Sequence, residues 1–224
     1  DFITIASKGN ASDFGDMNYN AFDTTGASNQ TRCLFLGGEG APGNRDRIDA
    51  ITIATTGSVF DFGNLTGTDA GGASFSSPTR GIYMGGTGDT DNMQFVTIAS
   101  QGHATDFGTL PASAVSTYAS GASNSTRGLK MGGYDPFSNS IHFMTISTLG
   151  NMQEFGDLSV NGGITSAVGD AVRAVKFGRY KSPGVQDGTI DYVNFSTTGD
   201  AVDFGDMATT RYNGGAISNG HGGL

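Results

Sequence analysis

Carboxylates are the commonest reactive groups in this 224-residue chain, and one stands before a Phe in each copy of a short block: Asp13, Asp61, Asp106, Glu154 and Asp203. A ring of such acids could gather cations. The same regularity fits a framework role, with the acids accepting turn N–H groups or pairing with the equally periodic Arg32, Arg80, Arg127 and Arg173. Framework is the reading adopted for both sets. Acids outside the period are Glu39, Asp89, Asp91, Asp135, Asp170 and Asp187. Glycoside hydrolysis needs one protonated carboxyl and one ionised partner held a few ångströms apart. These acids lie mostly in turn-like segments rich in Gly, Ser and Pro, so no catalytic residue is expected. Asp89-Thr90-Asp91-Asn92 opens like a calcium loop but lacks its downstream Gly and bidentate Glu. Asp89 and Asp91 are the weak metal candidates, a solvated turn is the expectation, and no cofactor is expected, with calcium kept as an unsupported alternative.

His103, His142 and His221 are isolated, without Cys or His at metal-ligand spacing. No Ser-His-Asp order or nucleophile elbow is present. Cys33 occupies a position held by Gly81 and Gly128 in the next copies of its segment, which marks it as filler. The glycine pairs are not phosphate loops, because no Lys-Ser/Thr follows them. Binding residues are sought instead where the repeat varies most, in segments 39–47, 87–92, 134–140 and 179–189. Tyr134, Phe137 and Tyr180 are aromatics set in polar turns there, and aromatic faces stack on sugars. They are the candidate ligand-binding residues; the competing reading is that they cap neighbouring repeat units.

The elements that position these groups follow from composition and period. Gly is abundant (37) and Pro scarce (5), hydrophobic residues are 36% and aromatics 10%. Aromatics and β-branched runs such as Phe2-Ile3-Thr4-Ile5 exclude disorder, and the glycines lack a collagen period. An ordered, turn-dense, all-β chain remains. With 12 basic and 21 acidic residues the net charge is −9, which repels phosphate backbones and anionic lipid, so neither nucleic acid nor membrane is an expected partner. One Cys cannot make an internal disulfide. The chain begins at Asp1 with no signal-peptide pattern and reads as processed or as part of something longer.

The repeat is explicit. Ile3-Thr4-Ile5 returns as Ile51-Thr52-Ile53 and Val96-Thr97-Ile98, then in altered form as Met144-Thr145-Ile146 and Val193-Asn194-Phe195. Each copy leads into an acid-Phe-Gly block whose Phe is residue 14, 62, 107, 155 or 204, a spacing of 48, 45, 48 and 49. A Gly-Ala-Ser element follows (26–28, 72–74, 121–123, weaker at 165–167 and 215–217). Next comes an Arg-led apolar strand ending in Gly37-Gly38, Gly85-Gly86, Gly132-Gly133 or Gly178-Arg179. Four short strands in 45–49 residues is the length of a β-propeller blade. The prediction is a single domain over 1–224, a five-bladed propeller with units near 1–47, 48–92, 93–140, 141–189 and 190–224. Strands from both termini share the closing blade. Phe14, Phe62, Phe107, Phe155 and Phe204 are the expected plugs between blades.

The diglycine after an apolar strand at this period resembles the kelch type of propeller repeat, with Phe where kelch repeats usually keep Trp. The fuller string, as in Ile51-Thr52-Ile53-Ala54-Thr55-Thr56-Gly57 leading to Asp61-Phe62-Gly63, resembles tandem kelch-like repeats in virion proteins of marine bacteriophages, notably those infecting cyanobacteria. Relatives also occur in large extracellular bacterial proteins. The resemblance covers essentially the whole chain and implies a propeller on a virion or cell surface, serving attachment or structure. Three functions are therefore expected, in order. The first is a non-enzymatic adhesin for a surface glycan or protein, oligomeric in its assembly. The second is a decoration module packed against other virion or filament subunits. The third is a glycoside hydrolase.

Overall fold

The computed structural model describes residues 1–4, 6–87, 91–181 and 184–218. Blade I contains β1 (Thr25–Ser28), β2 (Arg32–Leu36), β4 (Gly43–Thr52) and β5 (Phe60–Asp69), with β3 (Glu39–Gly40) pairing onto β4. Blade II contains β6 (Ala73–Ser76), β7 (Arg80–Met84), β8 (Asn92–Thr97) and β9 (Thr105–Thr109). Blade III contains β10 (Ser120–Ser123), β11 (Arg127–Gly133), β12 (Ser138–Thr145) and β13 (Gln153–Asp157). Blade IV contains β14 (Ser166–Gly169), β15 (Arg173–Lys181), β16 (Val185–Asn194) and β17 (Val202–Asp206). All pairings are antiparallel. The molecule is an all-β propeller with four-stranded blades, the architecture that a kelch-like repeat implies.

Four complete blades are present among the described residues, not the predicted five, because each sheet joins the second half of one sequence unit to the first half of the next. Gly-Ala-Ser and Arg-led strands pair with the following Ile-Thr-Ile and Phe-Gly strands, so five units make four blades and leave a half-unit at each end. Near the N-terminus Phe2 and Ser12 form an isolated bridge, with the Phe2 and Phe14 rings edge-to-face at 5.9 Å. Near the C-terminus residues 211–218 form no strand, although Asn213 N–H donates to the Ile164 carbonyl at 3.1 Å.

The joints between blades are built from the repeated residues. Phe62, Phe107 and Phe155 are buried, each in an apolar cluster that takes in the next blade's corner residue: Ile98, Ile146 and Phe195 respectively. Beside each Phe carbonyl a glycine amide of the following blade donates, Gly102 to Phe62, Gly150 to Phe107 and Gly199 to Phe155, at 3.0, 3.0 and 2.8 Å. The glycine after the Phe is required by this approach. A Cβ on Gly63 would stand 2.2 Å from the Gly102 carbonyl oxygen, and the backbone there has φ of 156°. Arg32 and Arg80 Nη1 donate to the Ile98 and Ile146 carbonyls at 2.9 and 2.8 Å, and Arg127 bonds the Phe195 carbonyl likewise. Each guanidinium thus clamps its blade to the next.

The periodic acids do not pair with these arginines. Asp13, Asp106 and Asp203 accept the amides of Gly15, Gly108 and Gly205 at 3.1, 3.0 and 2.8 Å, a local turn role. Ion pairs among the described residues are Arg47–Asp49 and Arg179–Asp187. The two outermost plugs differ from the rest: Phe14 is half-buried and Phe204 is 58% exposed. Arg173 has no partner carbonyl among the described residues and stands over the Tyr192 ring at 5.3 Å.

Candidate functional site

Five segments surround the propeller axis, each opening on one residue with left-handed backbone: Asp23, Gly71, Tyr118, Ile164 and Asn213, with φ of 55, 65, 49, 55 and 57°. Their backbones form a chain of hydrogen bonds. Gly71 donates to Asp23, Tyr118 to Gly71, Ile164 to Tyr118 and Asn213 to Ile164, at 3.1, 2.8, 3.0 and 3.1 Å. A bulky Tyr and a β-branched Ile seldom hold this conformation, so the packing around them must impose it. Below this chain lies an axial well of about 380 Å³, lined by the starts of β1, β6, β10 and β14 and by residues 213–216.

Most hydroxyls in the well are already engaged. Thr25 bonds Ser74, Ser74 donates to the Gly26 carbonyl at 2.7 Å, Thr165 donates to Ser120 at 2.9 Å, and Ser166 bonds the Gly214 carbonyl. At the mouth, Tyr118 donates its hydroxyl to Asp23 Oδ2 at 2.9 Å. Burial, then this hydrogen bond and the Asp23 charge, push the phenol up to about 12. The ring lies over Gly71, where a Cβ would meet it at 2.8 Å.

Tyr134 and Phe137 sit in the turn between β11 and β12, and Tyr180 lies near the end of β15. The structure brings all three together. Ring centroids are 5.1 Å apart for Tyr134–Phe137, 6.0 Å for Tyr134–Tyr180 and 6.4 Å for Phe137–Tyr180. The backbone explains the convergence. Gly163 pairs with Tyr180, and a Cβ on Gly163 would sit 2.3 Å from the Tyr134 Cα, so only a glycine lets blades III and IV close here. Tyr118 and Tyr212 extend the set, at 6.0 Å from Tyr134 and 5.2 Å from Tyr180. The result is a continuous aromatic strip running from the well's mouth onto residues 211–218. Tyr118 and Tyr212 are not singled out by the turn criterion, because they precede inner-strand segments. Their signal is an aromatic where the other repeat copies carry mostly small or polar residues.

The remaining candidates are dispersed. Asp89 and His221 lie outside the described residues, while Asp91 uses its carbonyl to accept the Leu110 amide at 2.8 Å. Asp170 caps a turn, accepting the Val172 and Arg173 amides at 2.7 Å each, and these bonds hold it below the usual carboxylate range. Asp187 is held well below it too, chiefly by Arg179. Glu39 exchanges backbone hydrogen bonds with Phe22, and Asp135 is exposed beside Tyr134. His142 bonds Ser113 at 3.1 Å, His103 accepts the Asn64 amide at 3.1 Å, and Cys33 is buried enough to push its thiol up to about 11. No group of three potential metal ligands occurs among the described residues.

Two lysines are buried, in the strand position that holds Phe35 in blade I and Tyr83 in blade II. Lys130 Nζ donates to Ser116 Oγ at 2.8 Å, whereas Lys176 Nζ has no hydrogen-bond partner among the described residues. Burial pushes them down to about 7 and about 8. No family model matches the chain, and no curated protein is significantly similar to it.

Proposed function

We propose that this propeller is a non-enzymatic binding module on the exterior of a phage particle or cell, recognising a surface glycan or protein through its blade loops. The observation that carries this reading is the aromatic strip of Tyr118, Tyr134, Phe137, Tyr180 and Tyr212 beside an open axial well. Concave sites that join aromatic surface to a few polar groups are the usual form of small-ligand sites. Hydrolysis is disfavoured because a single carboxylate, Asp23, is among the residues lining the well. Weak individual contacts would be strengthened by many copies on one particle. The test is a glycan array probed with the purified protein, with and without a calcium chelator. Reproducible binding that the chelator leaves intact is expected; a blank array with positive controls overturns the glycan reading.

Beside the four blades, residues 213–216 add a fifth segment around the axis. The Gly57 amide donates to the Phe14 carbonyl at 2.6 Å, in the same pattern as the three internal joints. One observation favours the structural-module reading instead. Blade IV presents Val172, Val202 and Phe204 to solvent, 58, 53 and 58% exposed, next to a cavity of about 540 Å³. Light scattering of the purified chain separates the two, since a module closed by its neighbours self-associates and an adhesin domain with a closed ring stays monomeric.

A further inference from the structure

We propose that the aromatic strip and the axial well form one two-part site for the terminal, uncharged pyranose of a glycan, a reading that rests on the binding function above. A pyranose has an apolar C–H face and a hydroxyl-bearing edge. The two surfaces that fit these meet at Tyr212 and Asn213, which are consecutive in the chain.

The C–H face stacks on Tyr212, with Tyr180 beside it. Their rings are 5.2 Å apart and tilted at 53° to one another, so they form an angled platform on which Tyr212 is 43% exposed. Packed rings at this separation leave no gap for an ammonium group between them, so the platform offers outer faces rather than a cation cage. The hydroxyl edge turns toward the well. There the Asn213 side chain and Asp23 Oδ1 make no hydrogen bond among the described residues, while the hydroxyls deeper in the well are engaged.

The bridge from Tyr118 to Asp23 decides that a chain end binds rather than an internal residue. It crosses the mouth over Gly71 and leaves the opening on the side of Ile164 and Asn213, where the aromatic strip lies. A polysaccharide cannot thread past that bridge. Charge within the well weighs against acidic sugars: Asp23 is the carboxylate at the mouth, no cationic side chain is among the lining residues described, and Arg179, next to Tyr180, is engaged by Asp187 and the Asn161 carbonyl, which leaves Arg211 before Tyr212 as the exposed cation outside the well.

The test uses an array carrying neutral and acidic glycans, the intact chain, and the variants Tyr180→Ala, Tyr212→Ala and Asn213→Gly. Glycine keeps the left-handed backbone of residue 213 while removing its amide. Neutral chain-end glycans are expected to bind, with each Tyr variant weakened about tenfold and Asn213→Gly weakened a few-fold. If glycans bind and all three variants match the parent, this site is wrong while the binding function stands. If nothing binds, the binding function fails with it. Preferred binding of sialylated or uronic-acid glycans overturns the assignment of sugar class. Should a variant not fold, the parent chain alone decides. Saturation-transfer NMR with methyl hexopyranosides must show contact concentrated on one C–H face, and an even distribution overturns the stacking.

Discussion

The Tyr118 hydroxyl, carried by blade III, donates to the Asp23 carboxylate of blade I at 2.9 Å, across the residue of blade II that lies between them. Few single contacts in the molecule span so much of it. Tyr118→Phe keeps the ring over Gly71 and deletes only the bridge, so a loss of about 1 kcal/mol is expected. Its pH signature is specific. The folded phenol is raised to about 12 against 10.0 unfolded, so its contribution is complete below pH 10 and disappears as pH rises from 10 to 12. Chemical denaturation at pH 8 and pH 11 should show a smaller drop for Tyr118→Phe than for the parent; equal drops would remove the bridge from the account.

Lys130 gives the opposite slope at lower pH. Burial lowers the folded ammonium to about 7, whereas the unfolded chain holds its proton to 10.5. Below pH 7 the folded state carries a buried charge, and as pH rises from 7 to 10.5 the folded chain is neutral there while the unfolded chain is not. Stability therefore increases across that window. Lys130→Met should stabilise the fold at pH 6 by about 1 kcal/mol or more, seen as a higher melting temperature, and flatten the increase. A Met variant less stable than the parent at pH 6 would refute this.

Arg80 and Arg173 hold the same repeat position with different partners. Both stand over an aromatic ring, but only Arg80 also bonds a carbonyl of the next blade. Arg80→Ala should cost about 2 kcal/mol, and Arg173→Ala well under half as much. Similar losses at both positions would mean that the clamp to the neighbouring blade matters little.

The plugs sort in the same way. Phe107 is 3% exposed, and Phe107→Ala should cost about 3–5 kcal/mol. Phe204 is 58% exposed, and Phe204→Ser should leave thermal stability nearly unchanged while reducing any self-association. If Phe204→Ser unfolds the protein, the apolar face of blade IV is covered in solution.

Much of this was readable from single residues. The spacing of Phe62, Phe107 and Phe155 gives the blade, and the glycine after each Phe anticipates the close approach of the following turn. Five Phe-Gly blocks suggest five blades, but pairing runs between units, and counting blocks counts one strand of a sheet and not the sheet. The periodic acids could serve turns or arginines, and only geometry shows Asp13, Asp106 and Asp203 taking amides while Arg32, Arg80 and Arg127 take carbonyls. Tyr134, Phe137 and Tyr180 stand out as aromatics in polar turns, but their convergence depends on Gly163 pairing with Tyr180, a contact across blades. Lys130 and Lys176 were invisible as buried groups. They occupy strand positions filled by Phe35 and Tyr83 in other blades, and nothing local marks them.

Every joint between blades uses the same kit: a Phe plug, a glycine that admits a turn, an arginine clamp and an apolar corner from the next unit. The interface is therefore encoded in the unit and not in a particular pair of neighbours. Duplication or loss of one 45–49-residue segment would bring or remove both halves of a matched seam at once. The number of blades is therefore set by how many such segments follow one another in the chain.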